Sequence, residues 1–156
     1  MRLFIKNVLL TLLVPSTVAV CAHLLFSGHQ LNGSVFFMVS GIVLILLGAA
    51  LALWAIWCFG VAGRGIHAPI DAPTVLVIQG PYRFIRNPMY CGVILMLTGW
   101  SNLFGNFWLL IYSMTVALMF HTFVVLYEER RLRRKFGPAY RQYCQTVGRW
   151  IPRVDA

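Results

Sequence analysis

Between positions 35 and 59 the chain reads VFFMVSGIVLILLGAALALWAIWCF, a run that contains no charged residue. Crossing hydrocarbon roughly 30 Å thick takes about 20 apolar residues as a helix, and a run this long without charge has no water-facing side. It must lie among lipids or other apolar helices. Three further stretches meet or approach the same requirement. Residues 8–26 carry Pro15 and His23 but no charge; 89–104 are apolar and short; 107–127 follow them through the turn at Gly105 and Asn106. With 60% hydrophobic and 11% charged residues, the composition excludes an ordinary soluble domain.

Arg2 and Lys6 ahead of the first apolar run give the N-terminus some likeness to a signal peptide. No small-residue cleavage site precedes the polar SGHQLNGS loop, so the segment is expected to be retained as a span.

Charge placement predicts the topology, because short loops rich in Lys and Arg stay cytoplasmic. Arg2 and Lys6 precede the first span; Arg64, Arg83 and Arg86 separate the second from the third; the other basic residues follow position 127. Loops 27–34 and 105–106 hold none. The expectation is an all-α integral membrane protein with four transmembrane helices and both termini cytoplasmic. It forms one domain over 1–156, with a cytoplasmic loop at 60–88 and a cytoplasmic tail at 128–156. In a prokaryote this is the inner membrane. The net charge of +9 then reflects topology and contact with anionic headgroups, worth about 1 kcal/mol per residue near the surface, rather than nucleic-acid binding.

Cys21, Cys58, Cys91 and Cys144 form no C-x-x-C pair and have no His or Cys at zinc spacing, so reduced thiols without metal are expected. Chemistry is then sought in the two cytoplasmic excursions. In the tail, EERRLRRKF continues the fourth span outward, Gly137 ends that helix and Pro138 suits the first turn of another. Leu132, Phe136, Tyr140, Tyr143 and Val147 recur at helical spacing, an apolar stripe to lie on the membrane or on the bundle. Trp150 after it suits an interfacial anchor.

The loop ends in GPYRFIRNPMYCG, residues 80–92. Asn87 suits an N-cap and Pro88 a first helical position, so the third span starts here. A helix start attracts anions, and Arg83 and Arg86 add positive charge beside it. Tyr82 and Tyr90 supply aromatic faces able to stack on a base or attract a cation. Capping and interfacial anchoring account for the same residues without a ligand. The matching feature is LYEERRL, residues 126–132, where Glu128 and Glu129 are half of all the acidic residues. Glu129 can pair with Arg133 one turn on, on a solvated face. Together the segments offer an anion site, aromatic walls and a carboxylate pair on one side of the membrane. S-adenosylmethionine, with its carboxylate, amine, ribose and base, fits that set.

GPYRFIRNPMYCG, then LYEERRL, then FGPAYRQYCQTVGRWIP resembles the superfamily of isoprenylcysteine carboxyl methyltransferases and phospholipid methyltransferases, over residues 60–153. NPMYCG is closest to the phosphatidylethanolamine form; the prenylcysteine enzymes carry His-Pro where Asn87-Pro88 stands. The resemblance implies that Asn87, Pro88, Met89 and Tyr90 line an S-adenosylmethionine site with Tyr82 beside them. It also implies that Thr74, Val75, Leu76 and Val77 fold over the cofactor, and that His67 makes a polar contact. Glu128 would accept hydrogen bonds from the cofactor, with Glu129 next to it. Gly63 and Gly65 resemble a glycine pair of the phospholipid enzymes. The arginine that prenylcysteine enzymes carry one turn before the acidic pair is replaced here by Val124 and Val125.

The expected activity is methyl transfer to a lipid or membrane-partitioned acceptor. A phospholipid amine, a prenylcysteine-like carboxylate and a thiol all stay open. His121 is a candidate base if the acceptor must lose a proton, or else a neutral histidine bonded within the bundle. The rival from another class is a noncatalytic small membrane protein whose basic tail docks on anionic lipid.

Overall fold

The computed structural model describes residues 34–62 and 76–153 together with positions 17, 18 and 21. The expected first span, 8–26, therefore lies outside the described residues apart from those positions, as do Gly63, Gly65, His67, Thr74 and Val75. Among the described residues the regular structure is helical, with one isolated parallel bridge between Ile85 and Gly148.

Helix α1 runs over Val35–Ala62. Phe36, Leu46, Leu53 and Trp57 stand exposed on it, as an all-apolar helix in lipid requires. Helix α2, Pro88–Phe104, packs antiparallel to α1 at backbone contact. Gly41 faces Gly99, and two turns on Gly48 faces Gly92: a Cβ on Gly48 would lie 2.5 Å from Gly92 O, and one on Gly92 2.6 Å from Gly48 O. Lipid tails remove the hydrophobic drive between helices, so association rests on close packing, which small residues permit. Ala52 and Ala55 extend the stripe and are fully buried.

Helix α3, Phe107–Phe123, returns along α2. Gly105 closes the turn in the left-handed conformation (φ 60°), and Asn106 caps α3 by accepting from the Trp108 N–H at 2.9 Å. Val93 and Leu97 of α2 join Leu109 and Val116 of α3 and Ala52 of α1 in the core.

A π-helical turn, Val124–Glu128, then joins α3 to helix α4, Glu129–Thr146. The backbone of α4 breaks at Gly137 (φ 51°, ψ −120°), with Pro138 opening the next turn, as expected from the sequence. Among the described residues two segments are long and apolar enough to cross a membrane, Val35–Phe59 and the column Phe107–Thr146. Helix α2, at 17 residues, is shorter.

The stripe on α4 buries Tyr140, Tyr143 and Val147 against Leu76, Leu132, Phe136 and Cys144. Its partner is thus the chain's own loop, to which Tyr143 donates a hydrogen bond at Tyr82 O (2.7 Å). Beyond α4, residues 147–152 form a hook that runs beside 85–91, where the Arg86 N–H donates to Gly148 O at 2.9 Å.

Candidate active site

The first turn of α2 and the end of the π turn after α3 meet at Tyr90 and Glu128. The Tyr90 hydroxyl donates to Glu128 Oε2 at 3.1 Å, and its ring lies 4.7 Å from that of Phe120. Tyr82 sits in the short 3-10 turn Gly80–Arg83, its ring 6.3 Å from Phe59. Burial raises the Tyr82 phenol well above its ordinary value, with the charges of Glu128, Tyr143 and Cys58 adding to it. Gly80 allows this position: at φ 58° it presses on α1, where a Cβ would collide with Cys58 Sγ.

Glu128 is half-buried and hydrogen-bonds only to Tyr90 among the described residues. Burial raises its carboxyl above the usual range; the Tyr90 hydrogen bond opposes this and the neighbouring Glu129 charge adds to it. A desolvated carboxylate with unfilled lone pairs, beside two phenols and a phenyl ring, suits hydroxyl donors and a flat, polar heterocycle.

Glu129 has a different environment. It is 4% exposed and holds three guanidinium groups. Arg149 binds it through Nε at 2.6 Å and Nη2 at 3.0 Å, Arg86 Nη1 lies at 3.1 Å and Arg133 Nη2 at 3.5 Å. The pairing with Arg133 is present, but on a buried carboxylate rather than the solvated face expected. Glu129 is therefore engaged in tying hook, loop and α4 together, and Arg86 with it, since Arg86 Nη1 also donates to Cys144 Sγ at 2.8 Å. Of Arg83 and Arg86, only Arg83 is exposed.

Asn87 occupies the N-cap position of α2 without capping it. Its side chain instead donates from Nδ2 to Arg149 O at 3.2 Å. Pro88 is at the first helical position as expected and fully buried, and Met89 packs on the α1–α2–α3 core. Leu76 belongs to the Tyr140–Tyr143–Val147 cluster, and Val77 is half-buried beside it in sequence. The structure thus brings Tyr82, Tyr90 and Glu128 together, whereas Asn87 binds the hook, Met89 the bundle core and Leu76 the α4 cluster. Sequence reasoning missed Phe120, Arg149 and the π turn; only the aromatic at the helical position before His121 hinted at the first.

A separate cavity of about 590 Å³ opens between α1, α2, α3 and the hook. Leu51, Trp54, Ile94, Leu95, His121 and Trp150 line it, and Tyr82, Tyr90 and Glu128 do not. His121 Nδ1 accepts from Trp150 Nε1 at 3.1 Å, so Trp150 anchors the hook to α3.

The profile of the phospholipid methyltransferase family matches residues 36–139, the stretch that holds both Tyr90 and Glu128. The chain belongs to that family. Among curated proteins it is 29% identical over 119 residues to protein-S-isoprenylcysteine O-methyltransferase A of Arabidopsis thaliana, covering 74% of this chain and 59% of that protein. It is 32% identical over 80 residues to protein-S-isoprenylcysteine O-methyltransferase of Schizosaccharomyces pombe, covering 51% of this chain and 34% of that one. An uncharacterized Haemophilus influenzae protein is 35% identical over 63 residues, 40% of this chain and all of its own length. The chain thus spans about 59% of the Arabidopsis relative. No solved structure matches.

Proposed function

We propose that the protein is an integral membrane methyltransferase that uses S-adenosylmethionine and acts on a lipid or membrane-partitioned acceptor. The observation that carries this is the Tyr90–Glu128 hydrogen bond within a chain of the phospholipid methyltransferase family. Glu128 accepts from the ribose hydroxyls, the rings of Tyr82, Tyr90 and Phe120 flank the adenosyl and sulfonium portions, and the start of α2 faces the carboxylate. When bound, the cofactor would supply an electrophilic sulfonium methyl, taken up by an acceptor oxygen, nitrogen or sulfur lone pair as the methyl–sulfur bond breaks and S-adenosylhomocysteine leaves as the neutral thioether. The protein's own part is to align donor and acceptor and to exclude water, with little acid or base help for an acceptor already anionic or a free amine. The family resemblance adds His67, Thr74, Val75 and Val77 as cofactor contacts. Asn87, Pro88, Met89 and Leu76 support the site from behind, and Glu129 holds the hook that keeps it shut.

The four-span topology with cytoplasmic termini belongs to the same proposal, supported by the confinement of basic residues to one side. The names of the Arabidopsis and Schizosaccharomyces relatives favour an oxygen acceptor. Incubating the protein in native membrane extract with radiolabelled methyl donor, and identifying the labelled product, tests the activity. S-adenosylhomocysteine binding that is absent, with behaviour set by salt and lipid charge alone, would replace this proposal with the noncatalytic membrane protein.

A further inference from the structure

The structure sorts the basic residues of the tail into two sets. Arg133 and Arg149 are drawn to Glu129, and Arg153 Nη1 donates to Gln145 O. Arg130, Arg131 and Arg134 are exposed and have no acidic partner among the described residues. They share the side of α4 opposite Glu129, Leu132 and Phe136, which turn inward to the clamp and the stripe. Like charges one turn apart, as at Arg130 and Arg134, repel and weaken a helix unless an anion lies between them. Just below on the same column Phe123, Leu126 and Tyr127 are each about half exposed, with the Phe123 and Tyr127 rings stacked at 5.3 Å. From Phe107 to Tyr127 the column rises roughly 30 Å, at about 1.5 Å per residue, which is the thickness of the hydrocarbon. Arg130, Arg131 and Arg134 therefore emerge within the next roughly 10 Å, at headgroup depth. One outward strip of helix thus passes from apolar to cationic at the level where a lipid passes from acyl chain to phosphate.

We infer that this strip docks an anionic phospholipid of the adjoining leaflet, its chain along Phe123 and Leu126 and its phosphate among Arg130, Arg131 and Arg134. Apolar exposure continuous with the cations selects a lipid over a nucleic acid or a phosphopeptide, neither of which would cover Phe123 and Leu126. No residue of the strip lines the cavity, and a lipid such as phosphatidylglycerol offers a methyl donor no amine, thiol or carboxylate. The partner is therefore distinct from the methyl acceptor, and the inference stands apart from the transferase proposal. Its consequence is mechanical. Glu129 projects from the inner side of the same half of α4, so holding the outer side at the headgroups steadies the clamp on the hook. A lipid that binds the folded chain alone also raises its stability by mass action.

The test places the full chain in nanodiscs of phosphatidylcholine with and without phosphatidylglycerol, and uses a diazirine probe near the glycerol of either lipid. The phosphatidylglycerol probe is expected to label 123–134 saturably and at least about tenfold in preference to the phosphatidylcholine probe, since each cation near the surface contributes up to about fivefold. Arg130→Gln with Arg134→Gln is expected to remove most of that preference. Arg83→Gln with Arg141→Gln, an equal loss of exposed charge elsewhere, should leave it within about twofold, because charges beyond a screening length count little. Thermal denaturation gives an independent readout. Phosphatidylglycerol should raise the wild-type midpoint by a few degrees and leave that of the first variant pair unmoved. Equal labelling by the two probes, equal loss in the two variant pairs, or a wild-type midpoint indifferent to phosphatidylglycerol would overturn the inference. An RNA oligonucleotide bound through Arg130 and Arg134 at physiological salt, with no preference between the lipids, would overturn it too and reassign the face to nucleic acid.

Discussion

Tyr90 donates its phenolic hydrogen to Glu128 Oε2 over 3.1 Å, joining positions 38 residues apart. Tyr90 belongs to the first turn of α2 and Glu128 to the end of the π turn, so the contact depends on loop, hairpin and widened turn together. Glu128→Ala is expected to weaken S-adenosylhomocysteine binding by at least about tenfold, the range for hydrogen bonds to a charged group. Tyr90→Phe leaves the carboxylate in place and should cost only a few-fold. Calorimetry on the purified protein in detergent measures both. Wild-type affinity in Glu128→Ala would remove Glu128 from the site.

The raised carboxyl of Glu128 gives that binding a pH dependence of definite sign. Because burial lifts its pKa above the unfolded value, the neutral acid is the form the fold favours, and that contribution to stability is lost as pH rises through the raised value. Ribose hydroxyls need the ionised form as acceptor. Affinity should therefore fall as pH drops through the raised titration of Glu128, above that of an ordinary carboxylate, and Glu128→Gln should flatten the profile. Titrations across that range in both proteins check this; parallel profiles would assign the dependence to another group.

What could be seen in the sequence was whatever a single segment dictates. The uncharged run of α1, the break at Gly137-Pro138 and the stripe through Tyr140, Tyr143 and Val147 each follow from residue types at local spacing. What stayed hidden depends on a partner distant in the chain. Nothing in VVLYE marks a π turn, and Asn87 has the residue type of a cap yet binds Arg149 O because the hook passes within reach. Gly41, Gly48, Gly92 and Gly99 look like ordinary membrane-helix glycines until antiparallel packing sets them face to face.

Glu129 and Arg133 separate buried from exposed electrostatics on one carboxylate. Glu129→Gln leaves Arg86 and Arg149 side by side without their anion, and breaking a buried ion network typically costs about 3–5 kcal/mol. Arg133 is 60% exposed in its side chain and 3.5 Å away, so Arg133→Ala should cost no more than about 0.5 kcal/mol. Thermal denaturation in detergent should show a large fall in midpoint for the first and almost none for the second. Similar midpoints in the two variants would mean that Glu129 is not the clamp of the hook.

Two glycines should fail for opposite reasons. Gly137 has open space around it, since a Cβ there would meet nothing within 4 Å, but its φ of 51° with ψ of −120° is a region that side chains avoid. Gly137→Ala is therefore expected to cost about 1–3 kcal/mol through backbone strain alone, and to loosen the α4 stripe on the loop. Gly48 lies inside regular helix, where alanine is intrinsically better than glycine, yet its Cβ would lie 2.5 Å from Gly92 O and 2.8 Å from Met96 Cγ. Gly48→Ala must part α1 from α2, so the loss should fall on the membrane bundle. Hydrogen exchange resolved along the chain distinguishes the two: faster exchange in 138–147 for Gly137→Ala, and in α1 and α2 for Gly48→Ala. A Gly48→Ala protein as stable and as protected as the wild type would show that the two helices do not meet at backbone contact.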